Sequence, residues 1–236
     1  MARTGLGGVV VEALDPPALA GFWARALEWE QLPATGAGTM DSAVEAVDAA
    51  DIVGAVAGAV VLRSPRPGRI GLAFVPSDRP RTVKNRLHLD LAGGAAEIAR
   101  LSALGAVPCD IGQGAVPWEV LADPEGNEFC VLPHVEADDH LAAIAQDAAD
   151  TEQQIRFWQP ATGWVEVARG DWGVRLRDPS GEGPTLVMGP PAAPRRERNR
   201  LRLALTGLDA SGGGGVDPEG NAFERWEPFS GGLSRP

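Results

Sequence analysis

Hydrophobic and polar positions follow two different periods along this chain. Residues 7–13 are apolar and β-branched, which predicts a buried strand. Asp15 follows as a helix N-cap with Pro16 at the first helical position, and apolar residues then recur at helical spacing. Residues 86–91 alternate polar and apolar, which predicts a strand with one buried face. Residues 95–104 carry an apolar stripe on one side of a predicted helix.

The remaining predicted elements are mainly strands, separated by turns rich in Gly, Pro and Asp. A further helix is predicted over 151–158. The further strands are predicted at 60–62, 70–74, 118–121, 128–132, 141–145, 164–167, 173–176, 184–188, 199–205 and 221–226. Residues 34–58 are treated as an insertion, because 41–47 resembles a capped helix while Gly54 and Gly58 weaken it.

Three sequence blocks occur twice in the same order. Phe-Trp at 22–23 returns at 157–158, the block 80–91 returns as 194–205, and Asp-Pro-Glu-Gly-Asn at 123–127 returns at 217–221. The four aromatic residues of the Phe-Trp pairs are expected in the core. A repeat of this length indicates two related domains and not a solenoid of small units. We predict a first domain at 1–133, a linker at 134–140 and a shortened second domain at 141–236.

Composition and charge narrow the classes of partner. The net charge is −11 and no basic tail is present, so nucleic acid and anionic membrane are poor partners. The one basic cluster, 195–202, is interpreted as a strand with its solvated approach in preference to a phosphate site. Cys109 and Cys130 form no CxxC motif, and the start of the chain lacks a signal peptide. These features predict a cytoplasmic protein with reduced thiols, and the Arg-, Ala- and Gly-rich composition indicates a GC-rich, bacterial genome.

The repeated blocks resemble the glyoxalase-like branch of the vicinal oxygen chelate superfamily, which includes glyoxalases, bleomycin resistance proteins and dioxygenases. The resemblance rests on the strand Asn85–Leu91 and the turn segment Asp123–Phe129. It covers 5–133 well and 141–228 in degraded form. It implies an α+β fold of tandem vicinal oxygen chelate domains built from paired βαβββ modules around a cavity, with the second copy truncated. Some members hold a divalent metal with His and Glu and chelate substrate oxygens, whereas others bind drugs or isomerise without metal.

The resemblance also implies where metal ligands would lie. His88 matches the ligand position on the first strand of the second module, and Cys130 stands where the last strand usually carries Glu. The positions in the first module fall near Gly8 and at 71–73, where no side chain can ligate a metal. A catalytic site needs about three protein ligands, so we expect no bound metal or other cofactor. The alternative is a divalent metal held by His88, Cys130 and a carboxylate, either Glu128 or Asp90.

The candidate ligand-binding residues share this cavity. They are Arg86, His88, Asp90, Trp118, Glu128 and Cys130. His88 could equally be a hydrogen-bonded structural histidine, Cys130 could be a small core residue, and strand parity leaves Glu119 as an alternative to Trp118. In the second domain the register places Arg202 and Glu224 at the equivalent positions, which predicts an ion pair that fills the place of a metal.

Three functions remain open, and the sequence does not decide whether the protein is an enzyme. The favoured one is metal-free binding of a small molecule, with Trp118 stacking on an aromatic ligand. The second is a metal-dependent lyase, isomerase or dioxygenase that acts on a small oxygenated substrate through His88 as ligand or general base. The third is an interaction role in which neither cavity is used. We expect either a monomer with two pseudo-equivalent domains or a homodimer.

Overall fold

The computed structural model describes residues 4–32, 56–66, 70–133, 135, 137, 139–192, 196–207 and 214–226. Among these residues there are three helices and fifteen strands. The helices are α1 (Pro16–Leu27), α2 (Ala95–Leu104) and α3 (Thr151–Thr162). The strands are β1 (Gly5–Ala13), β2 (Glu30–Gln31), β3 (Val60–Arg63), β4 (Gly71–Pro76), β5 (Leu87–Ala92), β6 (Val107–Pro108), β7 (Glu119–Ala122), β8 (Glu128–Leu132), β9 (Leu141–Asp147), β10 (Val165–Gly170), β11 (Gly173–Arg177), β12 (Thr185–Gly189), β13 (Leu201–Thr206), β14 (Gly215–Val216) and β15 (Ala222–Arg225). The helix considered at 41–47 lies outside the described residues.

Local signals explain where the helices begin and end. The Asp15 side chain accepts a hydrogen bond from the Ala18 N–H at 3.0 Å, which confirms the predicted cap of α1. The bounds of α2 are as predicted, and the helix ends at Gly105, whose φ of 112° favours glycine. The prediction for α3 stopped too early, because the helix continues past Pro160. Its last turn is held by the Thr162 hydroxyl, which donates to the Trp158 carbonyl at 2.7 Å.

The strands form two mixed sheets. One has seven strands in the order β14-β15-β13-β1-β4-β3-β2, and the other has eight in the order β10-β11-β12-β9-β5-β8-β7-β6. Mixed sheets with few helices confirm the α+β class. Each sheet contains strands from both sides of the predicted linker, because β1 pairs with β13 and β5 pairs with β9. The first repeated module therefore shares a sheet with the fourth, and the second with the third. The division at residues 134–140 stays a prediction.

The helices cover one face of the sheets, and aromatic residues of both repeats pack beneath them. Phe22 and Trp23 contact Phe129, with the Trp23 and Phe129 ring centroids 5.2 Å apart. In the second repeat Trp158 contacts Phe223 at a centroid distance of 5.7 Å. Phe22, Trp23 and Trp158 are buried, and Phe157 packs against the same core while partly exposed. The predicted core role of the repeated Phe-Trp pairs is confirmed.

The two Asp-Pro-Glu-Gly turns join the halves of the molecule crosswise. Glu125 accepts two hydrogen bonds of 2.9 Å from backbone N–H groups before α1, and a third of 2.9 Å from Arg200. Glu219 accepts equivalent bonds from backbone N–H groups before α3 and from Arg86. Each glutamate thus fixes the start of a helix and binds an arginine of the opposite repeat. The repeated sequence blocks therefore connect the two sheets.

Candidate functional site

Strand alternation on β5 separates a core face from a concave face. Leu87, Leu89 and Leu91 belong to the core beneath the helices. His88 and Asp90 consequently point to the opposite, concave face of the eight-stranded sheet. The parallel register of β5 and β8 places Cys130 beside Asp90, so the three polar side chains converge on one face.

The cluster formed by His88, Asp90 and Cys130 is compact. One nitrogen, one carboxylate oxygen and the sulfur all lie within 4.8 Å of one another. The His88 Nε2 is 3.2 Å from the Asp90 Oδ1. The His88 Nδ1 is buried and has no hydrogen-bond partner among the described residues. The His88 side chain is 15% exposed, so part of the ring remains accessible from the concave side.

Electrostatics set the protonation of this cluster. Burial lowers the pKa of His88, but hydrogen bonding and charge from Asp90, supported by Cys130, outweigh it and raise that pKa to about 10. Burial raises the pKa of the Cys130 thiol, although His88 opposes the shift. The raised pKa values favour an imidazolium at His88 and a protonated thiol at Cys130 at neutral pH. A protonated ring carries a hydrogen on both nitrogens, and the described residues give the buried Nδ1 no acceptor in hydrogen-bond geometry, although Cys130 lies in the same cluster.

Small side chains surround the cluster on the neighbouring strands. Ala145 lies opposite His88, and Ala143 lies opposite Asp90, in the antiparallel register of β5 and β9. On the next strand, β12, Thr185 lies beside Ala143 and Val187 lies beside Ala145. These side chains are short, and Ala143, Ala145 and Thr185 are themselves buried.

Glu128, one of the two carboxylates that the sequence left open, is engaged by residues outside this cluster. Its oxygens accept hydrogen bonds from the backbone and side-chain amides of Asn85, at 2.5 Å and 3.0 Å, and one lies 2.9 Å from the Arg81 Nε. Glu128 is thus neutralised by the segment that precedes β5. The structure brings in Asp90, the other carboxylate that the sequence left open.

Two further predicted site residues lie apart from His88. Arg86 is buried and directed to Glu219 and to the backbone carbonyl of Asp147. Trp118 precedes β7 and is 38% exposed. A ligand contact by Trp118 stays a prediction.

The concave face of the seven-stranded sheet is filled by an indole. Trp226 is only 3% exposed and lies over Gly7, Gly8 and Gly71. A Cβ at Gly8 would lie 2.8 Å from the indole ring, and one at Gly71 would lie 2.7 Å from it, so both positions require glycine. These glycines include the first-module positions where the sequence offers no ligating side chain. The sequence analysis did not foresee that a tryptophan from the end of the second repeat packs onto them.

Next to this indole, charged residues form a buried network. The Arg202 Nε donates to Glu224 at 2.6 Å, which is the ion pair expected from the register. Arg202 also donates to Glu12 at 2.7 Å, a partner that the sequence analysis missed because Glu12 lies in an otherwise apolar strand. Arg198 lies 3.2 Å from the same carboxylate. A cavity of about 370 Å³ opens beside these residues.

A second cavity, of about 320 Å³, lies between the two copies of the Asn-Arg block. Lys84 and Arg86 line one side, and residues 196–200 line the other. The basic cluster of the second repeat is largely engaged here, since Arg200 contacts Glu125 while Arg198 and Arg202 contact Glu12. These ion pairs favour its interpretation as a strand approach over a phosphate site.

Comparison with known proteins identifies the class. A family model described as a glyoxalase-like domain matches residues 8–132 and 143–213, and the chain belongs to this family. The family assignment confirms the resemblance seen in the repeated blocks. No curated protein matches the sequence significantly.

Solved structures of other proteins have a similar fold. A mutant of glyoxalase I from Zea mays is similar over 95% of this chain and 92% of its own, with a TM-score of 0.59 and 12% identity. A putative dioxygenase from Bacillus subtilis is similar over 97% and 87%, with a TM-score of 0.58 and 15% identity. At these identities the likeness shows the fold alone. None of the helices in the described ranges is both long and apolar enough to span a membrane.

Proposed function

We propose that this protein binds a small oxygen-containing molecule, without a metal, on the concave face of the eight-stranded sheet. The observation that carries the proposal is the buried His88 Nδ1, which has no partner among the described residues and lies beside small side chains. An unsatisfied buried donor costs roughly 1–3 kcal/mol, and a ligand oxygen that accepts its hydrogen removes that cost. The imidazolium therefore favours a carbonyl, carboxylate or phenolate oxygen.

Each residue of the cluster has a separate part in this proposal. Asp90, whose Oδ1 lies 3.2 Å from Nε2, raises the pKa of the ring and so favours its protonated form. Cys130 closes one side of the site as a neutral thiol. Trp118, just before β7, offers an exposed indole on which an aromatic ligand could stack. Sequestration of such a compound, as in bleomycin resistance proteins, is the role we favour over catalysis. Both cysteines are unpaired, which supports a reducing, cytoplasmic location.

The second candidate is a metal-dependent lyase, isomerase or dioxygenase. The donor set fits a divalent ion, because His88, Asp90 and Cys130 would supply three ligand atoms that lie within 4.8 Å of one another, as many as a catalytic site needs. A metal held there would act as a Lewis acid on substrate oxygens. Binding would have to displace the proton that Asp90 holds on the imidazole, and this cost favours the metal-free state.

Two measurements on the purified protein test the proposal. Elemental analysis gives the metal content, and tryptophan fluorescence reports binding across a panel of small carboxylates, phenols and diketones. We expect less than stoichiometric metal and quenching by part of the panel, which His88→Gln abolishes. His140→Gln is the matched control, because His140 lies in a separate cluster with Glu28 and Glu97. Stoichiometric metal that is lost in His88→Gln would overturn the metal-free proposal and support the second candidate.

A further inference from the structure

A second cationic side chain with an unpartnered buried nitrogen lies on the face that carries His88. Val174 and Leu176 of β11 belong to the core beneath the helices, so strand alternation directs Arg175 and Arg177 to the opposite, concave face. The Arg177 Nε is buried and, like the His88 Nδ1, has no hydrogen-bond partner among the described residues. Buried polar atoms in folded proteins are nearly always hydrogen-bonded, so two such donors on one face indicate a partner from outside the chain.

The charge of Arg177 is not compensated within the part of the chain that the structure describes. Its Nη2 donates to the Gly183 carbonyl at 3.5 Å, which is longer than a typical hydrogen bond, and no carboxylate of the described residues pairs with it. By contrast, Arg86, Arg200 and Arg202 each bind a glutamate. In a chain of net charge −11, a partly buried guanidinium without an acidic partner is a specific feature of this face.

The register of the sheet relates Arg177 to the His88 cluster. Arg177 lies opposite Thr185, one residue beyond the last regular pair of β11 and β12. Thr185 lies beside Ala143, which in turn lies opposite Asp90. Arg177 and Asp90 therefore belong to one row of side chains across four strands. Neighbouring strands lie about 4.8 Å apart, so β5 and β11 are separated by about 14 Å. A ligand that contacts both His88 and Arg177 is therefore elongated.

The two donors differ in the charge beside them. The His88 ring already lies beside the Asp90 carboxylate, which would repel a second carboxylate, so this end favours a neutral oxygen such as a carbonyl. Arg177 lacks an anion, and a guanidinium offers two parallel N–H donors that match the two oxygens of a carboxylate. We propose, on the basis of the proposed function, that the ligand is an elongated oxo acid whose carbonyl oxygen binds His88 and whose carboxylate binds Arg177.

Linear oxo acids and their methyl esters provide the test. Isothermal titration calorimetry measures the affinities of levulinate, of its homologues with one and two more methylene groups, and of the methyl ester of each. At least one acid should bind wild type about tenfold or more tightly than its ester, because only the acid forms charge-assisted bonds with Arg177. Arg177→Gln should lower the affinity of that acid to that of the ester and leave the ester unchanged. His88→Gln should weaken both, because acid and ester share the carbonyl.

Arg156→Gln is the matched control, because Arg156 is an exposed arginine of α3, on the opposite side of the sheet. It should leave both affinities unchanged, and circular dichroism checks that each variant is folded. Equal affinities of acid and ester for wild type would overturn the inference, and this comparison needs no variant. An acid preference that Arg177→Gln retains would overturn it as well.

The same measurements separate this inference from the proposed function. If acids and esters bind wild type equally and His88→Gln abolishes both, the inference fails and the proposed function stands. If neither acids nor esters bind, the inference is overturned, and the panel of carboxylates, phenols and diketones decides the proposed function on its own.

Discussion

Replacing Arg200 by methionine tests how the two repeats are held together. The Arg200 side chain is 5% exposed and contacts the Glu125 carboxylate at 2.9 Å, with Glu125 itself 10% exposed. The same guanidinium donates to the Asn127 side chain at 3.1 Å and to the Glu12 backbone carbonyl at 2.7 Å. Methionine keeps much of the apolar stem but removes every one of these donors. The substitution therefore leaves a buried carboxylate and several buried acceptors without their cation.

The expected cost follows from these contacts. Removing one member of a buried ion pair typically destabilises a protein by about 3–5 kcal/mol. Glu125 keeps two hydrogen bonds from the backbone before α1, so we expect the lower end, about 3 kcal/mol. In the double variant Arg200→Met with Glu125→Gln, no charge is left unpaired and the amide oxygen can still accept from the backbone. The double variant should therefore cost roughly 1–3 kcal/mol less than the sum of the single variants.

Urea unfolding, followed by circular dichroism and tryptophan fluorescence, measures these free energies, and coincidence of the two transitions checks for two-state behaviour. Arg63→Met is the control, because Arg63 pairs with Glu30 at the surface with 47% and 63% of the side chains exposed. Such a pair contributes about 0–1 kcal/mol. Equal costs for Arg200→Met and Arg63→Met would refute the reasoning. Strict additivity of Arg200→Met and Glu125→Gln would refute it as well.

Three other predictions concern the two concave faces. The imidazole of His88 should titrate in NMR spectra near pH 10, and a midpoint near the ordinary 6.5 would contradict the ion pair with Asp90. Because this pKa is raised on folding, His88 should stabilise the fold fully below pH 6.5 and lose that contribution as the pH rises through about 10. The free energies of unfolding of wild type and His88→Gln should therefore converge as the pH rises over that range. A difference that stays constant with pH would contradict the raised pKa of His88. Trp226→Ala should cost about 3–5 kcal/mol, and added indole should raise its melting temperature while leaving wild type unchanged. If indole leaves the melting temperature of Trp226→Ala unchanged, the cavity left by the missing indole ring has collapsed.

Much of the fold could be predicted from local sequence patterns. Helix α2 and strand β8 were placed residue by residue, because their apolar periodicity and flanking turns are local signals. The two-residue strands β2, β6 and β14 were missed, since they are too short to show alternation. The pairing of β1 with β13 depends on residues almost two hundred positions apart, and no local pattern reports it.

In the candidate site, too, local patterns could not report contacts between residues that are distant in the sequence. Strand parity correctly placed His88, Asp90 and Cys130 on one face, but parity does not say how far along that face a side chain can reach. Glu128 has the same parity as Cys130 and is neutralised by Arg81, which comes from a segment outside the strand. The choice between two carboxylates therefore required the positions of residues before β5.

The two concave faces of this molecule have diverged in opposite ways. On the seven-stranded sheet, glycines allow Trp226 to fill the space, and Arg202 supplies an internal cation for the nearby glutamates. That face has an apolar side chain and an ion pair of its own, so it needs no ligand to satisfy its polar groups. On the eight-stranded sheet, His88 has short side chains as neighbours, and its buried Nδ1 has no hydrogen-bond partner among the described residues. Since a buried donor without a partner is unfavourable, the second face alone gains from a bound oxygen. One half of the duplicated fold thus serves as a filled scaffold, and the other half provides the binding chemistry that we propose.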